Sequence, residues 1–165
     1  MGKRIVCLLL LGLLLTGCGA RETFETVADL YEQPAAVAQN LHLDLPKEAA
    51  APAVASEDAG NLYICDGYTL TVQTVSGGSL DATLSQVTGF TSDRLTVMHT
   101  KQADADRYEC VWTCAGETGD QVGRTVVLDD GSYHYAVSVM APAEKAGDLS
   151  QTWRDLLASI SISTD

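Results

Sequence analysis

The chain has 165 residues, 46% of them hydrophobic, which suits one small domain with a packed core plus a connecting segment. Its 22 acidic and 10 basic side chains give a formal net charge of −12 at pH 7. A chain this acidic is a poor partner for phosphate backbones and anionic lipid surfaces, which excludes nucleic-acid binding and attachment to a membrane by charge.

The first residues have the order of a secretory signal peptide. Two basic residues, Lys3 and Arg4, precede an apolar run over residues 5–15, and the small Gly17 follows. The apolar run is shorter than the roughly 20 residues that a membrane-spanning helix needs. Residues 1–17 are therefore predicted to direct export and to be removed.

The four residues Leu15-Thr16-Gly17-Cys18 resemble a bacterial lipobox, the motif in which the cysteine receives a diacylglyceryl group before cleavage. The resemblance covers residues 1–18. It implies that Cys18 is lipidated and that this lipid is the contact with the membrane. The expected location is then the outer face of the cell membrane or the cell envelope.

Residues 18–40 are predicted to form a tether, and residues 41–165 a single domain. A short helix within the tether is the alternative, because apolar residues recur at helical spacing before Pro34 stops the pattern. These residues are Phe24, Val27, Leu30 and Tyr31. The domain begins with a short strand over residues 41–45, and residues 47–60 are predicted to be a loop.

A first hairpin is predicted over residues 61–75, because Asp66-Gly67 tolerates the positive φ angles of a tight turn. The predicted cross-strand pairs are Tyr63 with Leu70 and Cys65 with Tyr68.

A short amphipathic helix follows, which Ser79 caps and Gly89 ends. Residues 94–101 are predicted to form a strand. Residues 108–114 alternate more clearly between apolar and mixed positions, which is typical of a strand with one buried side. The side chains on its apolar side are Tyr108, Cys110, Trp112 and Cys114.

A second hairpin is predicted over residues 123–140, with its turn at Asp130-Gly131. Both strands then place their apolar side chains on one face, which supports the register. His134 falls on the opposite face and is predicted to be solvated. The predicted pairs are Leu128 with Tyr133, Val126 with Tyr135, and Val127 with His134.

The chain closes with the clearest helix. Residues 142–147 are predicted to be a loop, after which Asp148 and Gln151 form a capping-box pattern. The helix has an apolar stripe that should dock on the second hairpin. The stripe consists of Leu149, Trp153, Leu156, Leu157 and Ile160. Ile160 and Ile162 are predicted to continue as a short final strand.

Hairpins flanked by helices predict an α+β fold, a mostly antiparallel sheet with helices packed against it. From Ser79 to Ser163, the order of a helix, a meander of strands and a closing helix resembles a PsbP-like domain. The resemblance covers about half of the chain and rests on element order, so no residue role is carried over. It implies an extracytoplasmic binding or assembly factor.

The candidate nucleophiles are the cysteines beyond Cys18, with His99 or His134 as the base. Cys110 and Cys114 lie on the apolar side of their strand, where burial makes a thiol unreactive. Cys65 could form a disulfide with one of them, but three buried free thiols are favoured because the number is odd.

No metal or cofactor site is predicted. The two cysteines of the 108–114 strand lack the second pair of ligands that a zinc site needs. Asp104 with Asp106, and Asp129 with Asp130, lie outside an acidic loop of the kind that binds calcium. Phosphate-binding and hydrolase motifs are also absent from the sequence. We therefore assign no catalytic, cofactor-binding or metal-binding residue.

The sequence favours a non-enzymatic, membrane-anchored lipoprotein with a binding or assembly role outside the cell and a small-molecule or protein partner. Two alternatives stay open. One is an extracytoplasmic, hydrolase-like enzyme whose site is assembled from scattered residues. The other is a structural part of an envelope assembly that acts through protein contacts.

Overall fold

The computed structural model describes residues 36–56, 60–117 and 119–164. The signal peptide, the lipidation site at Cys18 and the helical alternative within the tether lie outside these ranges. From Ala38 onward, the described residues belong to one compact unit.

A seven-stranded antiparallel sheet is the main element of the described residues. The described strands, two of which form a separate pair, are β1 (Asn40–His42), β2 (Val54–Ser56), β3 (Gly60–Ile64), β4 (Thr69–Ser76), β5 (Val97–Gln102), β6 (Ala105–Gly116), β7 (Gly119–Asp129), β8 (Tyr133–Pro142) and β9 (Ser161–Ser163). The sheet has the order β2-β3-β4-β8-β7-β6-β5, and β1 pairs separately with β9. The hairpin of β7 and β8 therefore lies in the middle of the sheet.

The sheet is covered by helices on both faces. The helices are α1 (Leu80–Thr88), α2 (Ala143–Ala146) and α3 (Ser150–Ala158), with 3₁₀ turns at Lys47–Ala49 and Ser92–Arg94. Helix α1 packs on one face, which we call the α1 face, and α3 packs on the other, the α3 face. The prediction of an α+β fold with helices against a mostly antiparallel sheet is confirmed.

The α3 face carries the larger core. Trp153 is 1% exposed and packs with the apolar side chains of the central hairpin, as its place on the helical stripe predicted. Tyr68 meets the indole edge-on, with ring centroids 6.2 Å apart. The other buried side chains include Leu70, Val126, Leu128, Tyr135, Val137, Val139, Leu156, Leu157 and Ile160. Their removal from water is the main force that holds α3 on the sheet.

The α1 face carries a smaller core. Leu84 of α1 packs against Cys110 and Trp112 of β6 and against Val127 and Ala136 of the central hairpin. The alternating residues that the sequence placed on the apolar side of β6 therefore do share one side, and α1 is what covers them.

The first hairpin has the predicted register. Tyr63 pairs with Leu70, and the backbone N–H of Cys65 donates to the carbonyl of Tyr68 over 2.9 Å. Gly67 has a φ of +83°, the left-handed conformation for which glycine was invoked at this turn.

Helix α1 begins and ends as predicted. Ser79 Oγ accepts a hydrogen bond from the backbone N–H of Ala82, one of the donors that the first turn leaves without a helical partner. Gly89 follows the helix with a φ of 80° and donates its N–H to the carbonyl of Ser85.

The predicted register of the second hairpin is wrong by two residues. Leu128 pairs with Tyr135 rather than with Tyr133, and the two central residues of the turn are Gly131 and Ser132. Gly131 has a φ of +87° and so takes the glycine position of the turn. A shift of two keeps every side chain on its face, so the apolar side was predicted correctly. The other pairs are Val126 with Val137 and Val127 with Ala136.

The prediction that His134 is solvated is wrong, because this residue is 1% exposed and lies beneath α1. The start of the closing helix also differs, since Leu149 rather than Asp148 precedes α3 and no side chain caps it. The N–H of Leu149 bonds to the carbonyl of Lys145, so the chain runs from α2 into α3 without the extended residue that a capping box requires.

Three further segments differ from the predictions. Two of them contain a helix or a strand where a loop was predicted, and one strand starts later than predicted. Part of the loop predicted over residues 142–147 is α2, and strand β2 lies within the loop predicted over residues 47–60. The strand predicted to start at Arg94 starts at Val97, because Ser92–Arg94 form a 3₁₀ turn whose carbonyl at Ser92 is bonded by Leu95.

Candidate functional site

The three cysteines of the described residues, Cys65, Cys110 and Cys114, are free thiols that are unsuited to nucleophilic chemistry. Burial raises the pKa of Cys65 on the α3 face, and it raises the pKa of Cys110 on the α1 face to about 11. Cys114 lies on the α1 face and is partly exposed. Because Cys65 lies in a different core from the other two, the disulfide that the sequence left open is absent.

His99, the first candidate base, is engaged by a carboxylate rather than a thiol. Its Nε2 lies 2.7 Å from Oδ1 of Asp106, and its ring stacks on Tyr108 with centroids 4.8 Å apart. The hydrogen bond with His99 lowers the pKa of Asp106. In the part of the chain that the structure describes, no three His, Cys, Asp or Glu side chains come together as a metal site would need.

His134, the second candidate base, lies in a row of polar groups on the α1 face. Its Nδ1 is 2.6 Å from the hydroxyl of Thr83, and its Nε2 is 3.4 Å from a carboxylate oxygen of Asp129. A hydroxyl, an imidazole and a carboxylate in this order are the parts of a nucleophilic triad. Thr83 is 5% exposed, so a substrate has little access to its oxygen. The row connects α1 to the central hairpin.

A cavity of about 360 Å³ lies at the hairpin tips, and we call it the tip cavity. Polar side chains from β5, β9, the hairpin turns and the segment before β1 converge on it. They include Gln39, Gln102, Asp104, Asp130, Ser161 and Ser163. Side chains rich in oxygen atoms around one cavity would suit a polar ligand, provided that they do not already hydrogen-bond to each other.

In the tip cavity, both carboxylate oxygens of Asp130 already accept hydrogen bonds from the protein. Its Oδ1 accepts the backbone N–H groups of Ser132 and Tyr133, and its Oδ2 accepts the Tyr135 hydroxyl and the Gln39 amide. Burial alone would raise the pKa of Asp130, but these hydrogen bonds outweigh it and hold the pKa below its usual value. Asp130 therefore fixes the entry of the chain at Gln39 and has little capacity left for a ligand.

A second cleft, of about 330 Å³, opens on the α3 face between the edge strand β5 and the end of α3. We call it the Arg124 cleft. Its walls are mostly apolar. The register places Met98, Glu109, Val111 and Arg124 on this face, and Thr96 and Leu157 also line the cleft. Met98 is 57% and Val111 55% exposed, which is unusual for large hydrophobic residues within strands.

The guanidinium of Arg124 has no partner in the cleft. Arg124 is half-buried on β7, between Val111 and Val139 on the neighbouring strands. Among the described residues its side chain has no ion pair or hydrogen bond. Glu109, the acid of the cleft, is bonded instead to Arg107 at 2.7 Å. A cation is thus presented to an open, apolar volume.

Arg107 lies on the same face, and its guanidinium, unlike that of Arg124, is hydrogen-bonded within the protein. It donates to Glu109, to the side-chain oxygen of Gln102 and to the carbonyl of Leu157 at the end of α3. Neither arginine was predicted from the sequence as a functional residue. For Arg124 the available signal was a cation within an apolar predicted strand, whereas Arg107 lies just before the strand predicted over residues 108–114 and gave no such signal.

A third concavity, of about 360 Å³, is the leucine groove between the β1 segment and strands β3 and β4. Its apolar residues are Leu41, Leu43, Leu45, Tyr63 and Val72. Its described lining residues include no charged group, so none of them selects one ligand class over another.

Within the described ranges, no helix has the length and apolar character to cross a membrane. No protein-family model matches the sequence, and no curated protein matches it.

Among solved structures, the chain is similar to the crystal structure of LpqN, described as involved in cell envelope biogenesis of Mycobacterium tuberculosis. The TM-score is 0.53 at 9% sequence identity, over 81% of this chain and 87% of LpqN. The solution structure of cyanobacterial PsbP (CyanoP) from Synechocystis sp. PCC 6803 superposes with a TM-score of 0.49 at 9% identity, over 79% of this chain and 96% of CyanoP. At such low identity, the likeness to LpqN shows a shared fold alone.

Proposed function

We propose that the protein is a lipid-anchored, extracytoplasmic component of the cell envelope that binds a ligand without transforming it. The observation that carries this proposal is the Arg124 cleft, an open apolar volume with one unneutralised cation. The fold shared with LpqN, a protein involved in cell envelope biogenesis, supports the envelope setting.

Attachment through Cys18 completes this proposal. Each buried acyl CH₂ adds about 0.8 kcal/mol of membrane affinity, so the chains of a diacylglyceryl group hold a protein stably. With a net charge of −12, the chain needs such an anchor because an anionic surface would repel it. Mass spectrometry of the mature protein should show an acyl modification at Cys18, and Cys18→Ala should abolish it. An unmodified Cys18 in the mature protein would contradict the anchoring.

The accessibility of the candidate nucleophiles and of the Arg124 guanidinium favours binding over catalysis. Burial raises the pKa values of Cys65 and Cys110 and so lowers the reactivity of these thiols, and the Thr83 hydroxyl lies beneath α1. The Arg124 guanidinium, in contrast, borders a volume that a molecule can enter. A ligand can therefore reach the guanidinium of Arg124, but it cannot reach the buried thiols or the hydroxyl that could attack the ligand.

A second candidate function is hydrolysis through the row of Thr83, His134 and Asp129. The observation in its favour is the 2.6 Å contact between the hydroxyl and the imidazole, at the edge of a shallow pocket that Ser79 and Thr83 both line. Movement of α1 would have to expose the hydroxyl before it could act.

An incubation with a total envelope lipid extract separates the two functions. The full chain carrying Cys18→Ala is re-isolated and examined by native mass spectrometry, and the extract is analysed for conversion products. We expect a molecule that is retained unchanged and that is lost in Arg124→Gln. Conversion of an extract component that stops in His134→Gln would establish an enzyme and overturn the proposal.

A further inference from the structure

The isolation of Arg124 is costly and is not explained by a shortage of acids. The chain has 22 acidic side chains against 10 basic ones, yet none pairs with Arg124 in the described residues. A half-buried cation without a partner loses hydration and regains nothing in exchange. Strand positions also favour β-branched and aromatic residues over charged ones. A partner from outside the chain would account for its presence.

The surroundings of Arg124 define the rest of that partner. Val111 lies directly opposite Arg124 on β6, and Met98 lies on the next strand towards the edge. Both are more than half exposed, and the buried Leu157 closes the cleft on the side of α3. An aliphatic chain laid over Val111 and Met98 would remove their apolar surface from water while its end remained beside the guanidinium.

We propose that the Arg124 cleft binds a single-chain amphiphile with an anionic headgroup. The guanidinium takes the carboxylate or phosphate of the head through paired N–H donors, a geometry that a planar fork suits better than an ammonium does. The aliphatic chain occupies the apolar part of the cleft. This inference rests on the proposed binding function and names the class of ligand.

The size and charge of the cleft fit one chain and one head. A volume of about 330 Å³ lies near the lower end of the roughly 300–1,000 Å³ that ligand pockets occupy. The net negative charge of the protein repels a single anionic ligand less than it repels an anionic membrane surface. Screening limits the repulsion from distant carboxylates to a range of about 8 Å at physiological salt. The guanidinium acts at hydrogen-bond distance.

Calorimetry with defined probes tests the ligand class. The probes are decanoate and decyl phosphate for the two headgroups, decanol for the chain alone, and acetate for the head alone, all below their aggregation concentrations. We use the full chain with Cys18→Ala, so that adsorption to the N-terminal segment is common to every variant. At least one of the two anionic probes should bind at least tenfold more tightly than decanol and acetate. Equal affinities for decanoate, decyl phosphate and decanol would overturn the proposal.

Variants locate the site. Arg124→Gln keeps a polar side chain but removes the guanidinium, and it should weaken binding of the anionic probe about tenfold or more while leaving decanol unchanged. Arg154→Gln is the matched control, because among the described residues the side chain of Arg154 bonds to Gln151 alone, on the exposed side of α3. It should bind as the wild type does. Val111→Ser should weaken all three decyl probes. Unfolding curves confirm that each variant is folded, and unchanged binding in folded Arg124→Gln would overturn the proposal.

Methyl NMR gives an independent readout. The Met98 methyl should shift on titration with the anionic probe, whereas the methyls of Leu41 and Leu43 in the leucine groove should not. Shifts confined to the leucine groove would overturn the assignment. So would shifts confined to backbone amides of β5, which would point to an extended peptide pairing with the sheet edge. If Arg124 is needed to retain a molecule from the envelope extract but neither anionic probe binds, this inference fails while the proposed function stands.

Discussion

The indole ring of Trp112 lies directly over Gly123 on the neighbouring strand. The two residues are register partners on β6 and β7, and a Cβ added at position 123 would overlap the six-membered part of the ring. The indole N–H donates to Thr125 Oγ1 over 2.9 Å, and Thr125 in turn bonds to Ser138. The ring therefore cannot move aside without losing a buried hydrogen bond.

Gly123→Ala should lower the free energy of unfolding by about 1–3 kcal/mol, the range for an added methyl group in a well-packed core. Chemical denaturation of the wild type and the variant measures this. Gly147→Ala is the control, because Gly147 has a right-handed φ of −62° and open space around its Cβ position. Its stability should be unchanged or higher by up to about 1 kcal/mol. Equal midpoints for Gly123→Ala and the wild type would show that the contact does not constrain the sheet.

Trp153 should tolerate loss of its N–H much better than loss of its ring. Its Nε1 is buried and has no hydrogen-bond partner among the described residues, whereas the ring fills the core between α3 and the central hairpin. Trp153→Ala should cost about 3–5 kcal/mol, much of the stability of a small domain. Trp153→Phe keeps an aromatic ring and removes the unsatisfied donor, so it should cost less than half as much. Thermal and urea unfolding compare them, and similar losses in both would contradict this account.

The stabilisation from Asp130 should depend on pH in a defined direction. Its hydrogen bonds hold its pKa in the folded state below its usual value. Its contribution is thus fully present above the unfolded pKa of about 3.9 and is lost as the pH falls through the folded pKa. Asp130→Asn should be less stable than the wild type by about 1 kcal/mol at pH 7. The difference should shrink below about pH 4.

Denaturant midpoints of both proteins at pH 7 and pH 3 check this expectation. Asp104→Asn is the control at pH 7, because Asp104 lines the same cavity and has no hydrogen bond among the described residues. It should match the wild type there. A gap between Asp130→Asn and the wild type that grows on acidification would have the wrong sign.

The thiols should react in an order set by burial. In the native protein, Cys114 should be alkylated first, because Cys65 and Cys110 are 7% and 4% exposed and have raised pKa values. In the denatured, unreduced protein all three should carry the label. Peptide mapping reads each site separately. A linked pair of peptides in the unreduced sample would contradict free thiols on opposite faces of the sheet.

Local signals in the sequence were sufficient where a few adjacent residues determine the structure. Asp66-Gly67 set the first hairpin correctly, and Ser79 and Gly89 bounded α1. At Asp130-Gly131-Ser132, the same reasoning chose the wrong central pair, because either pair containing Gly131 can form a two-residue turn. Tertiary bonds to Asp130 come from Gln39 and Tyr135, which are outside any local pattern.

Predictions that depended on long-range packing were less successful. His134 was assigned to solvent because the hairpin showed one apolar face, and the small residues opposite, such as Ala136, gave little sign that α1 covers them. The row from Thr83 to His134 joins residues 51 apart in sequence, so spacing could not reveal it. Arg124 is different, since its charge stands inside an apolar strand and could have been noted from the sequence.

The pairing of β1 with β9 brings the entry and the exit of the domain to one corner. Asn40 lies opposite Ser163, and Gln39 and Ser163 both line the tip cavity. Arg124 is six residues along β7 from Asp130, a separation of about 20 Å. A reporter fused after β9 should therefore sit beside residues 39–40, where the domain begins, and leave the Arg124 cleft open. The same adjacency makes the domain a good candidate for circular permutation, with a short linker from residue 164 to residue 39 and new ends at the Asp66-Gly67 turn.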